Sequence, residues 1–195
     1  MSDNRIIRQC LAKLNNQPHL NFAECMSIAL YGEDGFYQDA SRLGADGDFV
    51  TAPLISPFFI HAVASWVKEQ GCDRILEVGA GSGRLANGLI ESCEMIQMYW
   101  AVDQHGGRCS EPSIGRIRPT WQAKMPDQWS GVVIANELID ALPVRRFCWD
   151  KEVGLQEFLV VPQGRSLKMI LKPIEPLEEI SKHVLVHLQN QPGPY

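Results

Sequence analysis

The stretch Arg74-Ile75-Leu76-Glu77-Val78-Gly79-Ala80-Gly81-Ser82-Gly83-Arg84 decides how this chain folds. Residues 74–78 read as a short apolar strand, and residues 84–92 carry apolar positions at helical spacing. Between them lie three glycines, at 79, 81 and 83. A strand that enters a helix through such a turn lets backbone approach a ligand closely, and the helix's first N–H groups add favourable dipoles. A dinucleotide fingerprint, G-x-G-x-x-G, would require glycine at position 84, where arginine stands. The alternative is that the glycines serve only a tight strand-to-helix turn.

Outward from this loop, strand and helix patterns alternate. Residues 97–102 read as a second strand running into Asp103, 20 residues beyond Gly83. An acid at that place can accept hydrogen bonds from a ribose, although a strand-ending aspartate also occurs without one. Gln104 beside it is a further candidate. The apolar run Gly131-Val132-Val133-Ile134-Ala135 suits a strand buried on both faces and leads into Asn136 and Glu137. Ligands of open α/β sheets bind beyond the carboxyl ends of the strands, so Asn136 and Glu137 are site candidates. Asn136 could instead cap a following helix. Strand, helix and strand in this order predict a parallel, doubly wound sheet.

On the N-terminal side, helices are expected over about residues 4–15, from Asn21 through Leu30, and from Ser56-Pro57 onward. Residues 31–37 and 44–48 read as loop. Past Leu142-Pro143, strand-like runs at 145–149, 156–161 and 166–171 include a hairpin turned at residues 162–165, and a helix is expected over about 176–189. The chain is thus divided into an N-terminal helical lobe (1–70), a Rossmann-like core (71–144), and a β-strand insertion with a terminal helix (145–195).

Composition narrows the function. The 195 residues are 45% hydrophobic and 21% charged, with net charge −5, as in ordinary globular proteins. Lys and Arg are scattered, which argues against a nucleic-acid or anionic-membrane surface. Six cysteines without a C-x-x-C pair argue against a disulfide scaffold or a zinc site. No apolar run nears the roughly 20 residues that span a bilayer. With no secretory leader pattern at Met1–Arg5, the expected compartment is the cytoplasm. His183 and His187 stand one helical turn apart but lack the glutamate of H-E-x-x-H, so no metal is expected.

The pattern Glu77-x-Gly79-x-Gly81-x-Gly83 resembles the first motif of class I methyltransferases. In that reading the acid suits the ammonium of S-adenosylmethionine, and the loop's N–H groups suit its carboxylate. Two further stretches, Gly47-Asp48-Phe49-Val50-Thr51-Ala52-Pro53-Leu54-Ile55-Ser56 and Ile134-Ala135-Asn136-Glu137-Leu138-Ile139-Asp140-Ala141-Leu142-Pro143, resemble the MidA family, as does Gly35-Phe36-Tyr37. These are class I methyltransferases whose mitochondrial members assist assembly of respiratory complex I. The resemblance implies an α/β, Rossmann-like sheet, incomplete here, with a helical lobe over the cofactor. It implies S-adenosylmethionine as methyl donor and a protein arginine as acceptor. The site residues it carries over are Gly47, Asp48, Thr51, Glu77, Gly79, Gly81, Asp103, Asn136, Glu137 and Asp140, to which the loop adds Ala80 and Gly83. Glu137 and Asp140 are the expected catalytic carboxylates. The chain departs from the family at Leu54, at Ala80-Gly81-Ser82-Gly83 and at Gln104-His105, and family members are considerably longer. A non-catalytic cofactor-binding or assembly module is the competing expectation.

Overall fold

The computed structural model describes residues 3–38, 56–104 and 117–174. The chain divides into two compact units, residues 1–39 with 143–195, and residues 40–142. The lobe expected over residues 1–70 is therefore shared: its first two helices belong to the first unit and its third to the second. The helix expected near residues 176–189 lies outside the described residues.

The second unit is built on a parallel sheet. Its strands are β2 (Arg74–Val78), β3 (Met98–Val102), β4 (Thr120–Gln122) and β5 (Val132–Ile134), in the order β4-β3-β2-β5. Register runs Ile75 to Tyr99 and Glu77 to Ala101 on one side of β2, and Glu77 to Ile134 on the other. Helix α3 (Pro57–Glu69) begins as expected, with Ser56 Oγ accepting the Phe58 N–H and Pro57 in the first turn. It buries Ile60, Ala64 and Val67 at helical spacing. Helix α4 (Arg84–Ser92) buries Leu85, Ala86, Leu89 and Ile90. Both helices join one core with Ile75, Cys93, Ile96 and Tyr99. Each large side chain buried there contributes about 1.5–3 kcal/mol. The helices approach closely at Gly88, where a Cβ would stand 2.7 Å from Ile60 Cδ1 and Cγ2.

One expectation for this sheet is corrected. The apolar run 131–135 suits burial on both faces, yet Val133 is 52% exposed. Among the described residues β5 pairs only with β2 and ends the sheet, so its apolar sequence lacks the cover that an interior strand receives. Strand β4 went unread because three residues at a sheet edge give no periodicity to detect.

The first unit is an antiparallel sheet with two helices. Strands β6 (Phe147–Asp150), β7 (Gly154–Gln163) and β8 (Ser166–Pro173) correspond to the three expected runs, and Gln163 pairs with Ser166 across the hairpin. Gly164, at φ +62°, takes the first central position of that two-residue turn, as a II′-type connection requires. Strand β1 (Leu20–Asn21) pairs antiparallel with β7, Leu20 opposite Val160. Helix α1 (Asp3–Leu14) buries Cys10 and Leu14 against Leu20 and Val160. Helix α2 (Phe22–Tyr31) starts in a capping box: Asn21 accepts the Glu24 N–H, and the Glu24 carboxylate accepts the Asn21 N–H. The buried Glu157 is held by a bidentate Arg145 fork, at 2.7 Å for both bonds. Arg146 lies over the rings of Phe22 and Phe158.

Candidate functional site

The carboxyl ends of β2, β3 and β5 bring most of the predicted residues together. Gly79, Gly81 and Gly83 have φ of +75°, +53° and +78°, a region that side chains other than glycine rarely enter. The loop is anchored on β3: the N–H groups of Gly79 and Ala80 both donate to the Val102 carbonyl, at 2.8 and 3.3 Å. Gly83 donates back to the Ala80 carbonyl and starts α4 with no side-chain cap.

Asp103 follows β3 directly, its N–H given to the Gln122 carbonyl of β4. Its Oδ2 accepts the N–H of Gly81 at 3.1 Å. Acid and glycine loop, two separate readings of the sequence, thus touch. Gln104 is exposed in the turn that follows. Among the described residues no neighbour lies within 4 Å of a Cβ built on Gly81, whereas one on Gly79 would stand 2.8 Å from Leu138 Cδ1. The backbone at Gly81 is therefore open to close approach, and that at Gly79 is roofed by the segment after β5.

Glu77, the acid expected to face the ammonium, lies in the interior of the sheet's end. It is 4% exposed, and the Tyr99 hydroxyl donates to its Oε2 at 2.7 Å. Burial pushes its carboxyl up to about 7, and the negative charge of Asp103 adds to this, against the opposing Tyr99 hydrogen bond. The Tyr99 hydroxyl is itself pushed well above its usual range by burial and by Glu77. Sequence reading missed Tyr99. Strand alternation carries the signal, because Ile75 and Glu77 share a face of β2 and Tyr99 stands opposite Ile75.

Past β5, Asn136 is half-buried and Glu137 exposed. Glu137 has φ +50°, the one positive value among the described non-glycine residues. Such a conformation costs on the order of 1 kcal/mol and clusters at functional sites. The 3-10 turn Ile139–Ala141 is entered through Leu138 without a side-chain cap, so Asn136 does not have the capping role. Asp140 lies exposed in that turn. Gly47, Asp48 and Thr51 lie outside the described residues.

A parallel β4-β3-β2-β5 sheet with a glycine cradle at its carboxyl end defines a Rossmann-like methyltransferase fold. The chain belongs to the family described as "Putative S-adenosyl-L-methionine-dependent methyltransferase", whose model matches residues 59–193, and it is of the MidA type. It is 26% identical over 159 residues to "Protein arginine methyltransferase NDUFAF7 homolog, mitochondrial" of Caenorhabditis elegans, covering 63% of this chain and 37% of that protein. To "Protein arginine methyltransferase NDUFAF7, mitochondrial" of Danio rerio it is 23% identical, covering 80% and 46%. A Burkholderia thailandensis structure bound to S-adenosyl-homocysteine superposes with TM-score 0.76 at 26% identity, covering 97% of this chain and 54% of that one. The chain thus spans about half the length, or less, of the proteins it matches.

Proposed function

We propose that this chain binds S-adenosylmethionine at the 77–83 loop and serves in methyl transfer to a protein arginine. The observation that carries the reading is the Gly81–Asp103 contact, which joins a glycine cradle to an acid at the ends of adjacent parallel strands. The cradle suits the cofactor chemically: open backbone at Gly81, a carboxylate for the ribose hydroxyls, and a buried acid in Glu77 to balance an ammonium. In this reading Gly79, Ala80, Gly81 and Gly83 shape the cradle and Asp103 and Gln104 take the ribose. Gly47, Asp48, Thr51 and Asn136, carried over from the family, complete the set.

When bound, the cofactor supplies an electrophilic methyl on a cationic sulfonium. The chain's own contribution is to hold donor and acceptor in line. Glu137 and Asp140 orient the acceptor guanidinium through charge-assisted hydrogen bonds and accept its proton as it reacts. The names of the curated relatives favour this acceptor. Residues 71–144 form the cofactor half in this proposal, with 1–70 and 145–195 flanking it. The cytoplasmic assignment is part of the same proposal, and cell fractionation tests it; among the described residues no helix is long and apolar enough to cross a membrane.

Incubation of the chain with methyl-labelled cofactor and arginine-containing proteins tests the activity. Label in methylarginine, lost on Glu137→Gln, is the expected result. Cofactor binding without transfer would favour the competing reading of a non-catalytic binding or assembly module.

A further inference from the structure

Tyr99 has two ends with different tasks. Its ring packs in the core shared by α3 and α4, where the residue is 1% exposed. Phenylalanine would fill that space equally well, so packing accounts for the ring and not for the hydroxyl. The hydroxyl reaches the cofactor end of the sheet and donates to Glu77 Oε2 at 2.7 Å. Register allows this reach: Tyr99 lies one step along the same face from Ala101, the small residue that stands opposite Glu77. Among the described residues no other donor and no cationic side chain meets the Glu77 carboxylate. One of its oxygens is therefore held by protein, and the cofactor loop begins two residues further on at Gly79.

We infer that Tyr99 is a positioning residue of the cofactor site: its hydroxyl fixes Glu77 through Oε2, so that Oε1 is the oxygen that meets the ammonium of the ligand's amino-acid part. The inference rests on the cofactor reading proposed above and assigns it a residue that never touches the ligand. The contact is strong only when Glu77 is charged, because a charge-assisted bond is about twice as strong as a neutral one. Burial pushes the Glu77 carboxyl up to about 7, the Asp103 charge adds to the push, and the Tyr99 hydrogen bond opposes it. Ala101 and Ile134 flank Glu77 on β3 and β5, and the core on that face adds apolar side chains and the Cys93 thiol. Tyr99 thus keeps more of the ligand-binding carboxylate populated at neutral pH.

The test is the affinity of the whole chain for S-adenosyl-homocysteine, measured by calorimetry between about pH 5.5 and about pH 8.5. In the wild-type chain, affinity should rise with pH through about 7 and then level off. Glu77→Gln should abolish the rise. In Tyr99→Phe the rise should move up by about one pH unit, because a hydrogen bond to a charged group is lost. Affinity should then be about fivefold lower near pH 7 and nearly restored by about pH 8.5. Chain made with fluorotyrosine, whose more acidic hydroxyl donates more strongly, should shift the rise downward; it keeps the shape of tyrosine and decides the matter if Tyr99→Phe folds poorly. An affinity lowered by the same factor at every pH, or a rise that neither change moves, overturns the inference and leaves the cofactor reading standing. Absence of wild-type binding at every pH overturns that reading and the inference with it.

Discussion

Glu77 is the residue at which folding and ligand chemistry meet. Its carboxyl stands near 7 in the folded chain, against an ordinary value of 4.5, chiefly because it is buried. Between these two pH values the folded protein keeps a proton that the unfolded chain has lost. Stability contributed by the neutral acid is therefore full below about pH 4.5 and is lost as pH rises through about 7, a change on the order of 3 kcal/mol. Urea titrations across this range should show stability falling with pH, and Glu77→Gln should flatten the slope. Ligand binding bears on the same proton. An ammonium near Glu77 favours the carboxylate, so cofactor binding near pH 7 should release protons. Calorimetry in buffers of different ionisation enthalpy reads this directly, and a buffer-independent heat would argue against an ammonium beside Glu77. The sequence identified Glu77 as an acid of the site but not its burial, because that depends on Tyr99, which only the β2–β3 register brings to it.

At the scale of elements, the close crossing of α3 and α4 at Gly88 gives a test of the core. Alanine would raise helix propensity by about 1 kcal/mol, but its Cβ would meet Ile60 at 2.7 Å. Ile60 is 7% exposed and packed in the core, so it has little room to yield. We expect Gly88→Ala to destabilise by about 1–2 kcal/mol in urea unfolding, the overpacking outweighing the propensity. In the antiparallel sheet, Arg145→Ala strands the buried Glu157 carboxylate. It should cost about 2–4 kcal/mol, and more than Glu157→Gln, because the latter leaves no buried charge behind. Strand β2, helix α4 and the hairpin at Gly164 were legible because each joins a local periodicity to a matching turn residue. Strand β1 was not, since its two residues acquire strand character only by pairing with β7 far along the chain.

For the molecule as a whole, chain order and spatial grouping diverge. Residues 1–39 and 143–195 form one unit and residues 40–142 the other, and the β1–β7 ladder joins the two chain segments of the first. Periodicity reports local structure, so it divided the chain into consecutive parts. The parallel sheet, by contrast, was predicted in class from alternation alone, and the family match over residues 59–193 agrees with it. In the proposed function, residues 77–83 form an S-adenosylmethionine site. Isothermal titration of the chain with S-adenosyl-homocysteine, repeated on Gly79→Arg, tests it most directly. We predict one-to-one binding by the wild-type chain and none by the variant. The variant's side chain would be forced into left-handed backbone at φ +75° and against Leu138. No binding by the folded wild-type chain, or unchanged binding by Gly79→Arg, would contradict the assignment.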